Sequence, residues 1–142
     1  MPKARPSHLQ ARLLVMVLLG GAAGTLARGA VGLCVPPVGG LPLGTVAVNL
    51  AGAFVLGALL EHLAARGPDE GRRRALRLTL GTGFCGGFTT YSALAVDTDA
   101  LLRAGQAGSA LAYALGTVAL GLAASALGIA AARRRRRGGR PA

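Results

Sequence analysis

The stretch GTGFCGGFTTYSAL, residues 81–94, sets glycines, hydroxyls and aromatic rings between two apolar runs that otherwise read as membrane helix. A regular helix is poorly served by it. Each glycine weakens a helix by roughly 1 kcal/mol relative to alanine, and four of these fourteen residues are glycine. Thr82, Thr89, Thr90 and Ser92 add hydroxyls able to bond backbone groups released by a break. In a bilayer an interrupted helix survives only where the freed groups face protein, water or an ion. The stretch therefore points to an intramembrane ion site, with a glycine-rich packing helix as the alternative from these residues alone.

The surrounding composition sets the solvent. Of 142 residues, 52% are hydrophobic and only 15% charged, with the charges gathered at the ends and in one loop. That is the signature of an integral membrane protein, and spans of about 20 residues each leave no room for a soluble domain. The net charge of +11 could suggest nucleic acid, but these arginines flank apolar spans and do not form a solvated basic face. They read instead as topology signals and lipid contacts. Cys34 and Cys85 have no paired spacing and read as small buried side chains; His8 and His62 read as interfacial. The apolar run after Lys3, Arg5 and Arg12 continues without a clear cleavage site, so it reads as a first span and not a signal peptide.

In chain order, the expectation is a basic segment 1–12, four spans at about 13–33, 43–64, 76–95 and 109–132, and an arginine-rich disordered tail 133–142. Gly20 and Gly24 on span one allow close helix approach, and Gly44, Gly52 and Gly57 smooth one face of span two. Asn49 is the single strongly polar residue at depth in span two. Tyr113 and Thr117 lie one turn apart on span four. A polar connector is expected from Asp97 to Gly108. All but Arg28 and Arg103 of the 16 lysines and arginines fall on the side shared by both termini and the middle loop. Such a bias predicts cytoplasmic termini.

Three motifs in order, GGAAGTLARG at 20–29, GTVAVNLAGAFVLG at 44–57 and the broken stretch at 81–94, resemble the small Fluc-type (CrcB) fluoride channels over essentially the whole membrane portion. The resemblance implies an all-α membrane protein, a passive channel and not an enzyme, built as an antiparallel dimer of four-span subunits with a broken third helix. It implies a structural sodium ion held by backbone carbonyls of Gly86 and Thr89 from both subunits. It places Asn49 in the fluoride pore, Arg28 near its vestibule, Tyr113 and Thr117 on a polar track, and Tyr91 and Leu94 where the family carries phenylalanines. It also implies fluoride efflux across the cell membrane.

Physical chemistry is consistent with that. Fluoride is small and strongly hydrated, so a selective path must replace water with fixed donors: hydroxyls of Thr90, Ser92 and Thr117, the Asn49 amide, and aromatic ring edges. A central cation offsets part of the cost of an anion in low dielectric, and carbonyl ligands suit a hard one. Leu94, lacking a ring, and Ala93, lacking a hydroxyl, depart from the family pattern. Together with the one-sided charge bias, they predict a heterodimer with a paralogous subunit of opposite orientation. Two rivals stand beside this reading. A multidrug or cation exporter needs an embedded carboxylate, and the candidates Glu61, Asp97 and Asp99 fall toward expected span ends. A non-conducting structural subunit of a fluoride channel fits the departures at Leu94 and Ala93.

Overall fold

The computed structural model describes residues 10–138. Among them the order is α1 (Ala11–Cys34), α2 (Leu43–Ala64), α3 (Gly71–Leu76), a π-helical segment (Arg77–Cys85), α4 (Gly86–Phe88), α5 (Tyr91–Arg103) and α6 (Ala107–Gly138). Three helices, α1, α2 and α6, are long and apolar enough to cross a membrane. The fold is thus all-helical, and the expected broken stretch runs beside α1 and α2 as a rod interrupted at Thr89–Thr90.

The chain is packed for lipid. Leu18, Leu26, Leu33, Leu122 and Leu127 are 64–90% exposed, whereas the buried positions on α1 are Gly20 and Gly24. Lipid tails are as apolar as leucine, so helices associate by close backbone contact and not by burying large side chains. Gly20 and Gly24 lie against the stretch that carries Gly83 and Gly87. A methyl group at Gly20 would strike the Thr79 carbonyl oxygen, at Gly24 that of Phe84, and at Gly87 that of Gly21; at Gly83 it would stand 2.6 Å from that of Val17. A second such crossing joins α2 to α6, where a methyl at Gly57 would strike the Ser125 carbonyl and one at Gly128 the carbonyl of Phe54.

The connections follow from local chemistry. Gly39 and Gly40, with φ of 58° and 81°, form a two-residue turn that closes a reciprocal pair of hydrogen bonds between Val38 and Leu41 at 3.1 and 3.0 Å. In the loop before α3, Arg73 donates to the carbonyls of Pro68 and Arg66 at 2.8 and 2.9 Å. The hydrogen bond from Arg77 holds the Asp69 carboxyl below its ordinary range.

Several expectations change. The expected connector from Asp97 is helix as far as Arg103, which leaves Asp97 and Asp99 within α5. The π-helical segment has no counterpart in the sequence reading. Arg133 to Gly138 continue α6 as helix, not as a disordered tail; residues 139–142, like Lys3, Arg5 and His8, lie outside the described residues. Cys85 is buried as expected, but Cys34 is exposed at the end of α1.

Alanine scanning of α1 separates contact from propensity. Gly24→Ala forces a methyl onto the Phe84 carbonyl and is expected to destabilise by about 1–3 kcal/mol. Gly29→Ala meets nothing within 4 Å and is expected to be neutral or to stabilise by up to about 1 kcal/mol. Thermal melting of the two purified variants checks the difference in sign.

Candidate ion site

The interruption at Thr89–Thr90 is built from two extended residues, with φ/ψ of −80°/160° and −150°/121°. Extended backbone here removes the helical partners of the groups around it. Asn49, projecting from α2, replaces them. Its Nδ2 donates to the Thr90 carbonyl at 3.0 Å, and its Oδ1 accepts from the Thr90 amide at 2.7 Å. A carboxamide can make this reciprocal pair because it carries one donor and one acceptor side by side. Thr90 then restarts the helix as its N-cap, its hydroxyl accepting from the Ala93 amide at 3.1 Å. The Thr89 hydroxyl donates back to the Cys85 carbonyl at 2.9 Å.

Arg28 completes the cluster. Its guanidinium approaches the Thr89 carbonyl at 3.4 Å, and it lines a cavity of about 240 Å³ with Thr45, Val48, Thr90 and Ala93. The protons available to an anion can be counted. The Thr90 and Ser92 hydroxyls stand 3.2 Å apart and share one proton between them, which leaves the other free. Asn49 keeps its second N–H, and Arg28 keeps most of its five.

A second polar group lies between α2, α5 and α6. The Asp97 carboxylate accepts from both the Thr45 hydroxyl at 2.8 Å and the Tyr113 hydroxyl at 2.9 Å. Thr117 donates its proton to the Tyr113 carbonyl at 2.6 Å. Tyr113 and Thr117 are buried, and Leu94 packs with Leu101, Ala110 and Tyr113. Of the residues read from the sequence, the structure therefore gathers Arg28, Asn49, Thr89, Thr90 and Ser92 at the break, and Leu94, Tyr113 and Thr117 inside the chain. Tyr91 is apart from both, 82% exposed. Asp97 was missed. A span that ends before Asp97 puts its side chain in solvent, whereas α5 carries it to Thr45 and Tyr113.

The Gly86 and Thr89 carbonyls can be tested as cation ligands. The Thr90 amide, the donor four residues on from Gly86, is bonded to Asn49. The Gly86 carbonyl thus lacks its helical partner, and Gly86 is exposed with open space beside it. Both carbonyls are hard oxygen donors of the kind that suits sodium, but that of Thr89 already accepts from Arg28 at 3.4 Å and would have to exchange it for the ion. One chain offers too few to enclose it.

The comparisons with known proteins span all of these residues. The family model described as CrcB-like protein, Camphor Resistance (CrcB), matches residues 15–129. Fluoride-specific ion channel FluC 2 of Leifsonia xyli subsp. xyli is 54% identical over 125 residues, covering 88% of this chain and 86% of the relative. FluC 1 of Cutibacterium acnes is 49% identical over 122 residues, 85% of each. FluC of Gloeobacter violaceus is 46% identical over 122 residues, covering 84% of this chain and 94% of the relative.

Replacing Asn49 with leucine strands the Thr90 amide and carbonyl together. A melting-temperature loss equivalent to about 2–4 kcal/mol is expected, from two buried polar groups left unpaired. At Asp97, asparagine keeps an acceptor for Thr45 and Tyr113 and is expected to cost about 1 kcal/mol, whereas Asp97→Leu removes it and costs more. The same melting assay ranks all three.

Proposed function

The chain belongs to the CrcB-like family, and from that premise we propose that it is one half of a passive fluoride channel that lowers cytoplasmic fluoride by efflux. With relatives named as ion channels, the family is one of ion channels and not enzymes, and with its apolar helices the chain is a multi-pass membrane protein. In this reading the interrupted rod from Gly71 to Arg103 is a fourth crossing, and two such subunits pair in opposite orientations. The observation that carries the proposal is the Asn49–Thr90 pair of hydrogen bonds, which holds a broken helix open beside Arg28.

Fluoride entering low dielectric must exchange water for donors that are already in place. At the break these are the free N–H of Asn49, the uncommitted proton of the Thr90–Ser92 pair, and the Arg28 guanidinium. Tyr91 turns its ring outward and contributes a positive edge toward a path shared with the partner. Tyr113 and Thr117 have already donated their protons within the chain, so they present oxygens and set the far wall beside Leu94. Gly86 and Thr89 would hold sodium with the same groups of the second subunit. Bound there, the ion supplies a fixed positive charge that eases an anion's entry.

The second subunit is read as a paralogue. An antiparallel homodimer needs one sequence to insert both ways, but a chain with nearly all its lysines and arginines on one side inserts one way only. Both termini are then cytoplasmic.

Fluoride efflux from liposomes, with chloride as control, tests this. The expected result is fluoride-selective efflux from this chain co-assembled with an oppositely biased paralogue and none from the chain alone. Efflux from the chain alone overturns the heterodimer; no fluoride efflux in either case overturns the channel, and favours a purely structural subunit. For sodium, the expected outcome is that replacing it with a large organic cation lowers both the melting temperature of the assembled dimer and the efflux.

A further inference from the structure

At the end of the bundle that carries the middle loop, a groove of about 770 Å³ opens between the last turns of α2 and α6. Its inner wall is apolar, formed by Phe54, Ala58 and Leu59 of α2 with Ala131 and Ala132 of α6. Its rim carries Arg66, Arg133, Arg135 and Arg136 against the one carboxylate of Glu61. Glu61 is itself engaged. Its two oxygens take Arg133 in a fork, 3.0 Å to Nε and 3.1 Å to Nη2, which ties α6 to α2. Among the described residues Arg66, Arg135 and Arg136 enter no ion pair, so the rim keeps a net positive charge.

The depth of the groove follows from helix length. The 32 residues of α6 extend about 48 Å at 1.5 Å per residue, against a hydrocarbon core of about 30 Å. The arginine end of α6 therefore projects into the headgroup layer, while Phe54 and Ala58 lie toward the acyl chains. An apolar cleft topped by unpaired guanidiniums at that level is complementary to one class of molecule: a phosphate group carried on acyl chains. The size agrees. Pockets of about 300–1,000 Å³ accommodate molecules of drug size, and a lone phosphate would leave the apolar wall empty.

We propose that this groove binds an anionic phospholipid of the cytoplasmic leaflet, with the phosphate on Arg66, Arg135 and Arg136 and the acyl chain along Phe54 and Ala58. The Glu61–Arg133 fork fixes the two helix ends relative to each other at the rim of the groove. The site is separate from the helix break and does not depend on which ion the chain passes; its assignment to the cytoplasmic leaflet rests on the orientation proposed above. Basic pockets between spans on the cytoplasmic side are an established form of headgroup recognition.

Native mass spectrometry of the full-length chain, in whatever assembly it purifies, tests this with phosphatidylglycerol, phosphatidylcholine and inorganic phosphate as probes. The expected result is a retained phosphatidylglycerol adduct, with little phosphatidylcholine. The triple variant Arg66→Gln, Arg135→Gln, Arg136→Gln is expected to weaken phosphatidylglycerol binding about a hundredfold, from three lost headgroup contacts. A charge-matched triple of arginines outside the groove lining, Arg12→Gln, Arg72→Gln, Arg134→Gln, is expected to stay within about threefold of the parent, less than the loss of one such contact. Equal losses in both triples would mean diffuse attraction to anionic lipid and overturn the site. Equal retention of phosphatidylcholine, or displacement of the lipid by equimolar phosphate, would also overturn it. Should the first triple fail to fold, Arg135→Gln alone decides: a loss of about fivefold supports the site, and no change contradicts it.

Discussion

A helix cannot be broken inside a bilayer without new partners for the amides and carbonyls it releases. In this chain that constraint is met mainly by one side chain. Asn49 reaches from α2 to both polar groups of Thr90, and it does so with a carboxamide whose donor and acceptor match them. The Thr90 hydroxyl, capping the next helix, and the Thr89 hydroxyl, returning to Cys85, complete the repair. What remains unsatisfied after this is selective. The Gly86 carbonyl is left without its helical donor at an exposed residue, while one proton of the Thr90–Ser92 pair and one N–H of Asn49 stay uncommitted. One interruption thus leaves a carbonyl oxygen and polar hydrogens uncommitted within a few residues of each other.

The glycines make that arrangement possible by a different route. Large apolar side chains cannot drive helices together in lipid, so the rod is gripped where backbones touch, with Gly20 and Gly24 against the stretch of Gly83 and Gly87. Gly52 has the same role toward the break, since a methyl there would strike the Thr89 side chain. Removing side chains from these faces brings α1 and α2 close enough for Arg28 and Asn49 to reach the interruption. Packing and site chemistry therefore share the same residues.

Much of this was legible. A cluster of glycines and threonines between apolar runs contradicts a regular helix on propensity alone, which located the break, and a lone asparagine at membrane depth must find polar partners. Gly20 and Gly24 at a spacing of four declared a contact face. The rest depended on tertiary context. Asp97 reads as a span-ending charge until α5 is seen to restart at Tyr91 and carry it inward to Thr45 and Tyr113. The resemblance sets Leu94 where the family carries a pore phenylalanine, and within the chain its side chain packs with Leu101, Ala110 and Tyr113. The π-helical turn leaves no side-chain pattern of its own. The arginines after Ala132 look like a solvated tail, but a long helix begun at Ala107 extends at little cost, and the Glu61–Arg133 fork anchors it. Cys34 is apolar in neighbourhood but lies exposed at the end of α1.

The account stands or falls on the clip between Asn49 and Thr90. Amide hydrogen exchange of the full-length protein in lipid nanodiscs, read at single residues by NMR, measures it directly. The account predicts that the Thr90 amide is protected as strongly as the packed helical amides near Gly83, and that Asn49→Leu abolishes that protection without altering the amides near Gly83. A Thr90 amide that exchanges freely in the parent protein, or one indifferent to the loss of Asn49, would contradict it.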